Sequence, residues 1–410
     1  MVESYDVVII GGGAAGFFAA IHAAEASAKS VVILEKTNKV LTKVAVSGGG
    51  RCNVTHDCDY PAQLVENYPR GGKKLRKSFE LFDARSTRGW FENRGVNLKT
   101  ESDGRVFPVS DNSKTIVDAL WNAAEENGVK VHYKREVVKI SMNGDGRFHL
   151  TLSNDDQILA ARLIVTSGGF NKIESYQWLK DLGLKIVKPV PSLFTFNVPD
   201  SQMKDLMGLS VPQATVQIPG TKWKSEGPVL ITHWGFSAPA VIKLSSWAAI
   251  YLNEINYKFP ILINWCGVGE PMIKEEISIM RRNHPLKVVE SNSLFGLPSR
   301  LWERLCTMAE IGSGLKYADL PAKKANKLLE NMIRCAFNVS GKTTFKEEFV
   351  TCGGVDLDEI NLFTFEVKKI QGLFLAGEVL NVDGVTGGFN FQHAWTSGYL
   401  AGKNAGESLE

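Results

Sequence analysis

Residues 7–10 (VVII) are four consecutive apolar positions, followed at once by three glycines and an alanine-rich stretch from Ala14 to Ala26. An unbroken apolar run bounded by turn residues is the pattern of a parallel strand buried on both faces. Residues 31–34 (VVIL) repeat it and close on Glu35. The first 35 residues thus predict strand, helix and strand: Val7–Ile10, Ala14–Ala26 and Val31–Leu34. Apolar runs return at Leu163 in LIVTSGG and at Leu373–Ala376 in GLFLAGE, with REVVKI (Arg135–Ile140) as a further strand and a last helix from about Asn390.

Between these segments the pattern changes. LFTFNV, ATVQI and PVLIT alternate or cluster β-branched and aromatic residues, as an antiparallel sheet or small barrel would require. After about residue 268 helical spacing takes over. In 321–337, Ala325, Leu328, Leu329, Met332 and Ile333 recur at three and four, with Pro321 suited to a first turn. The expected organisation is a discontinuous α/β domain (1–188 plus 350–410), a β-rich barrel-like domain (189–267 plus 336–349) and a helical insertion (268–335).

The glycines carry the chemistry. Gly11, Gly13 and Gly16 form GxGxxG between strand and helix, and Glu35 stands 22 residues after Gly13. The first glycine permits a tight turn, the second lets backbone amides approach a pyrophosphate, and the third lets helix lie close on sheet. The first helical turn, with Ala14 and Ala15, then faces phosphate with free N–H groups, and Glu35 accepts the ribose hydroxyls, with Lys36 beside it. FAD is expected over NAD because the C-terminal GLFLAGEVLNVDGVTGGFNFQ adds a second such element. It brings a strand, then Gly377 and Glu378, the glycines Gly387 and Gly388, and a helix entered at Phe389 and Asn390. Val137, in REVVKI, lies on the strand expected under the adenine, while Ser167 and Gly168 form the turn expected to pass the cofactor again. The fold expected is a Rossmann-like FAD-binding domain of the glutathione reductase type.

A second glycine run, VAVSGGGRCNV (residues 44–54), lacks a following strand–helix–strand unit and acid. It is read as backbone passing close to the pyrophosphate or flavin, with Gly50, Arg51, Cys52 and Asn53 facing phosphates or ring. Cys52, close to the glycines and next to Arg51, would suit a partly exposed thiol of lowered pKa, a candidate proton donor; a small packing residue is the alternative. His233, in THWGFSAP, is a second catalytic candidate against a structural role beside Trp234. His393 is read as a backbone partner before a catalyst.

With SGGGRCNVT, THWGFSAPA, TCGGVDLDEIN and the C-terminal segment in view, the chain resembles the HI0933-like family of bacterial FAD-dependent oxidoreductases over nearly its whole length. Where the family usually has SGPA this chain has Ser237, Ala238, Pro239 and Ala240. Asn381 stands where aspartate is frequent and Phe389 where tyrosine is. After TSGG, Phe170, Asn171 and Lys172 replace a serine, a proline and a glycine-rich turn. The resemblance implies a flavoprotein oxidoreductase with the three-part plan above. Known members are described as reductases of enone-like substrates, as enzymes reducing a uridine in ribosomal RNA, and as amine-type oxidases.

Composition narrows the reading little further. With 44% hydrophobic and 22% charged residues the chain is ordinary for a globular protein, and a net charge of +3 does not by itself indicate nucleic acid. One basic run, Arg70, Lys73, Lys74, Arg76 and Lys77, continuing to Arg85 and Arg88, is either a solvated face or an RNA-phosphate footprint. Six cysteines without CxxC pairs fit reduced thiols, and Cys52, His56 and Cys58 lack the further ligands of a metal site. Glu3 and Asp6 stand where a secretory signal would be basic, and no stretch has the length of a membrane span, so a cytoplasmic protein is expected. The function expected first is NAD(P)H-supported reduction of an activated C=C bond in a small molecule. Uridine reduction in ribosomal RNA follows, then an amine-type oxidase or flavin-binding sensor. No second GxGxxG with an acid exists for a dedicated nicotinamide domain, so NAD(P)H is expected to dock transiently.

Overall fold

The computed structural model describes residues 2–142, 144, 146–199, 202–343 and 350–409. The chain divides into two units, Met1–Ser192 with Lys346–Glu410, and Leu193–Phe345.

The first unit is built on the buried runs read above. Lys130–Tyr133, Val31–Glu35, Glu3–Ile10 and Gln157–Val165 lie side by side in parallel. Val8 pairs with Val32 on one side and Leu163 on the other. Gln157–Val165 serves two partners along its free edge. Its first half pairs antiparallel with Phe148–Leu152, which pairs in turn with Val137–Met142, while its last three residues take Leu373–Leu375 in parallel. Val7, Val8, Ile9, Ile33 and Ile164 are wholly buried, as strands covered on both faces must be.

Helix Ala14–Ala26 lies against the long C-terminal helix Phe389–Glu407 along a stripe of glycines spaced by four. A Cβ on Gly398, Gly402 or Gly406 would stand 2.8, 2.2 or 2.6 Å from the carbonyl oxygens of Ala15, Ala19 and Ala23. Glycine on one helix and alanine on the other lets the two backbones approach this closely.

Two features of this unit have no counterpart in the pattern reading. A small antiparallel sheet joins Thr55–His56, Arg105–Pro108 and Leu98–Thr100. Helices Gly72–Leu81 and Ala84–Glu92 precede its later strands, the second capped by Asp83, which accepts the Ser86 N–H at 2.8 Å. The strands by which the chain leaves and re-enters the unit, Ile186–Ser192 and Val350–Val355, pair antiparallel.

The second unit holds a seven-stranded antiparallel sheet running from Cys335–Ser340 through Lys258–Asn264, Ser210–Gln217, Lys224–Ile231, Gly235–Ser237 and Thr195–Asn197 to Lys342–Thr343. Among the described residues the sheet is open, not barrel-like. Its first boundary falls after Ser192 instead of Lys188; the expected return at 349/350 lies next to residues outside those described. Helices Glu270–Asn283, Ser299–Met308 and Ala322–Ile333 occupy the expected insertion, and two more, Pro239–Trp247 and Ala249–Glu254, fall where only strands were expected. The insertion is not a separate body. Ile273, Trp302, Leu305 and Leu328 share one core with Val216, Ile261 and Ile263 of the sheet, because neither the helices nor the sheet face could bury their apolar sides alone. No helix among the described residues is long and apolar enough to cross a membrane.

Candidate cofactor site

The first glycine loop is closed at two points and open at one. Gly11 has φ +109°, and a Cβ there would lie 2.5 Å from the Thr166 carbonyl oxygen. A Cβ on Gly16 would lie 2.0 Å from the Gly11 carbonyl oxygen, so both positions admit glycine alone. Gly13 is exposed with no atom within 4 Å of its Cβ position, and it caps a 13-residue helix whose first turn includes Ala14 and Ala15. The N–H groups of that turn have no intrahelical acceptor and point with the helix dipole toward an anion. Glu35 is held at the strand end by two backbone donors, Gly12 N–H at 2.9 Å and Thr37 N–H at 2.8 Å. Lys36 is exposed, its ammonium 5.8 Å from the Phe170 ring centre. The chain entering Val137–Met142 passes the same end, since Arg135 N–H donates to the Glu35 carbonyl at 2.9 Å.

The second glycine run answers to its own geometry. Gly48, Gly49 and Gly50 take φ of +57°, +69° and +83° in succession, a left-handed path that glycine alone follows without penalty. Gly48 packs on Phe107, while Cβ positions on Gly49 and Gly50 would meet nothing within 4 Å. Cys52 follows, also left-handed at φ +60° and wholly buried. Burial pushes its thiol up to about 12, against a smaller opposing contribution from Ser47. The expectation of a partly exposed, acidified thiol is therefore corrected: apolar packing surrounds the sulfur, and the neighbouring cation is turned elsewhere. Arg51 lies over Phe107 at 3.9 Å and pairs with Glu101 at 2.6 Å and Asp111 at 3.4 Å, so it is committed to these acids and does not stand free for a phosphate.

Asn53 is likewise committed. With its amide oriented to satisfy both ends, the oxygen accepts the Gly388 N–H at 3.0 Å and the nitrogen donates to Thr55 O at 2.8 Å and Val106 O at 3.2 Å. Asn390 braces its own loop, accepting from Gly384 N–H at 2.8 Å and donating to Gly384 O at 3.0 Å. These two amides, expected at the flavin, hold the backbone that would approach it.

The turn after Gln157–Val165 brings Thr166 Oγ1 within 3.0 Å of the Ile10 and 2.9 Å of the Gly11 carbonyl oxygen. The Ser167 hydroxyl is buried with no hydrogen-bond partner among the described residues. Gly168, at φ +75°, has only the Glu378 carboxylate near its Cβ position, at 3.9 Å. Glu378 pairs with Lys43 at 2.6 Å. Gly377, at φ +76°, is gripped from the last helix on both sides: its N–H donates to Ser397 Oγ at 2.9 Å, and its oxygen lies 3.3 Å from His393 Nε2. Burial lowers the His393 pKa to about 4, so the neutral ring donates its Nε2–H to Gly377 and His393 is a backbone partner.

The final loop leans on the second glycine run. Gly387 and Gly388 have φ of +129° and +94°, and a Cβ on Gly388 would lie 2.6 Å from the Thr55 carbonyl. His56 Nδ1 is 3.0 Å from the Gly387 oxygen, and its ring stacks on buried Phe389 at 4.6 Å. Tyr68 donates its hydroxyl to Phe389 O at 2.6 Å. Lys43, Thr55, Tyr68 and Thr166 were not singled out from the sequence, and His56 only with Cys52 and Cys58 as an incomplete metal set. Only the glycine-rich spacing around them signalled their surroundings.

His233 belongs to the second unit, exposed in the turn Thr232–Gly235 with its ring edge-on to Trp234 at 4.1 Å. The basic run is largely neutralised. Arg70 pairs with Asp383, Lys74 with Asp358, Arg76 with Glu80, Arg85 with Asp59, and Arg88 with Asp57 and Asp59. All six cysteines are free and buried.

The sequence profile of the HI0933-like protein Rossmann domain matches residues 5–404. The chain is 27% identical over 413 residues to the ribosomal RNA dihydrouridine synthase of Escherichia coli strain K12, covering 98% of each chain. It is 25% identical over 411 residues to the 3-dehydro-bile acid delta(4,6)-reductase of Clostridium scindens, covering 97% of this chain and 98% of that one. Its fold is similar to that of the 3-ketosteroid-delta4-(5alpha)-dehydrogenase of Rhodococcus jostii RHA1, with a TM-score of 0.53 at 16% identity over 98% of this chain and 97% of the other.

Proposed function

The chain belongs to the HI0933-like family and is an FAD-dependent oxidoreductase, and from that premise we propose that it reduces a C=C bond conjugated to a carbonyl in a small molecule, with NADH or NADPH as electron donor. The observation that carries the reading is a set of glycines whose Cβ positions meet no atom within 4 Å, Gly13, Gly49 and Gly50, together with a helix N-terminus whose amides lack intrahelical acceptors and a fixed acid at the strand end. Such a cradle fits an extended dinucleotide whose pyrophosphate needs backbone amides at close range.

In this assignment the amides of Gly13, Ala14, Ala15 and Gly16 hold the pyrophosphate over the turn made by Gly11. Glu35, beside Lys36, would accept the adenosine ribose hydroxyls, and Val137 would help hold the adenine. Gly50 lets backbone pass the cofactor, with Arg51, Cys52 and Asn53 shaping that passage from behind. Ser167 offers its unpartnered hydroxyl beside Gly168, while Gly377 and Glu378 meet the ribityl chain. Gly387, Gly388, Phe389 and Asn390 present the second helix N-terminus to the ring. Once reduced by the nicotinamide, the bound flavin would supply the hydride, and the protein would supply position and electrostatics. A neutral buried Cys52 is a packing residue here, and of the two acid candidates only His233 presents its ring to solvent.

C=C reduction is supported by what two full-length relatives are called. A delta(4,6)-reductase and a dihydrouridine synthase both saturate a carbon–carbon double bond in conjugation with a carbonyl. The test is anaerobic: NADH or NADPH should bleach the bound flavin, and an enone should restore its colour. Failure with both donors sinks the reading. Uridine in ribosomal RNA is the second substrate class, favoured by the Escherichia coli relative's full-length match. Loss of a dihydrouridine from ribosomal RNA nucleosides of a deletion strain would select it.

A further inference from the structure

Asp383, in the loop before the C-terminal helix, is a wholly buried carboxylate, and burial raises its pKa against the opposing pull of Arg70. Arg70 meets it with a two-pronged contact: Nε lies 2.5 Å from Oδ1 and Nη2 bonds Oδ2. Ser192 completes the group, donating its hydroxyl to Asp383 Oδ2 at 2.7 Å and accepting from Arg70 Nη2 at 3.2 Å. The backbones of Arg70 and Asp383 also form a bridge.

A buried ion pair is a poor device for stability alone, since apolar residues of equal volume serve as well or better. It excels at specifying position, because a planar guanidinium satisfies both carboxylate oxygens in one orientation only. What is positioned here is informative. Asp383 leads into Gly384–Gly388, the loop that ends at the N-terminus of Phe389–Glu407. Ser192 is the last residue before the chain leaves for the second unit. The returning strand is tied to the same loop, with Gly353 N–H donating to Asn381 Oδ1 at 3.1 Å and Asn381 N–H to Val355 O at 2.8 Å.

We propose that Arg70, Asp383 and Ser192 are positioning residues that set the Val382–Gly388 loop, and with it the flavin's environment, from the strand that leads to the second unit. The inference rests on the FAD reading above. Asp383 itself touches no substrate; it acts through the loop.

Ser192→Ala removes one hydroxyl and spares the ion pair, and Asp383→Asn removes the charge at constant shape. Both are compared with the parent by FAD dissociation constant from flavin fluorescence, by reduction potential, and by melting of the FAD-free chain. Ser192→Ala should weaken FAD binding several-fold and Asp383→Asn at least about tenfold, the equivalent of one hydrogen bond to a charged group, and both should shift the flavin potential. If melting falls while FAD affinity and potential match the parent, the triad is structural only and the proposal is overturned. If Asp383→Asn does not fold, Ser192→Ala decides alone. A parent chain that binds no FAD would instead remove the reading on which the proposal rests.

Discussion

The side-chain oxygen of Asn53 accepts the backbone N–H of Gly388 at 3.0 Å, joining two glycine loops that lie more than 330 residues apart in the chain. The loops become one surface through this bond and through the His56 contact with Gly387.

Asn53→Leu should therefore loosen both loops. It would leave the Gly388 N–H without its acceptor in a buried place, at a cost of about 1–3 kcal/mol, and would take one donor from the Thr55 and Val106 carbonyls, the second of which still accepts the Val54 N–H at 2.9 Å. Denaturant unfolding should show the loss, together with reduced FAD content in the purified protein. Unchanged stability and FAD content would show that the bond is dispensable.

Two glycine substitutions should separate packing from binding. Gly402→Ala places a methyl 2.2 Å from the Ala19 carbonyl oxygen and should force apart the first and last helices, costing about 1–3 kcal/mol or more of stability with or without FAD. Gly49→Ala meets no protein atom and costs only the left-handed backbone, about 1–2 kcal/mol. Its larger effect should be on FAD affinity, read by fluorescence titration.

The buried thiols make stability fall in alkali. Cys52, Cys266 and Cys306 are raised by burial from 9.0 to about 12, so each stays protonated in the folded chain while the unfolded chain ionises. Stability present below pH 9 should be lost progressively as pH climbs toward 12. His393 acts at the other end. Its pKa is lowered by burial from 6.5 to about 4, so stability held above pH 6.5 should decline as pH falls toward 4. Melting temperature against pH checks both windows, and His393→Gln should flatten the acid one. Native Cys52 should also resist iodoacetamide at pH 8, and Cys52→Ala should retain turnover.

If ribosomal RNA is the substrate, its phosphates should meet the helical segment of the second unit and not the run from Arg70 to Arg88. Residues 281–327 hold nine Lys and Arg against four Asp and Glu, a greater excess than the whole chain's +3. Lys287, Lys316 and Lys323 are exposed and, among the described residues, in no ion pair. Tyr317 N–H bonds the Lys287 carbonyl at 3.0 Å, which sets the first two side by side. Changing all three to Glu should weaken salt-sensitive retention on ribosomal RNA and lower the slope of log affinity against log salt by about 2–3. Changing Lys73, Lys74, Arg76 and Lys77 to Ala should do much less. Equal effects at both places would refute the assignment.

Much of the first unit is legible residue by residue. VVII and VVIL are buried parallel strands because nothing in them can face water, and GGGAAG turns tightly into a close-packed helix because its spacing matches the turn, the open position and the helix contact in order. The second glycine run, Gly48–Gly50, takes a left-handed path of its own and is followed by no strand–helix–strand unit. The small sheet at Thr55–Pro108 was not legible, since strands of two to four residues carry too short a period to stand out. Nor was the stripe of Gly398, Gly402 and Gly406, whose meaning depends on Ala15, Ala19 and Ala23 lying opposite.

The local chain, then, decides where backbone can turn, run buried or end a helix, because those choices depend on neighbours within a few residues. It does not decide the electrostatics of Arg51 and Cys52. Arg51 sits beside Cys52 in sequence, yet Glu101 and Asp111, some 50 and 60 residues on, draw its charge away and leave the thiol in apolar surroundings. Charge interactions act through space, and only the folded chain settles which acid reaches which base.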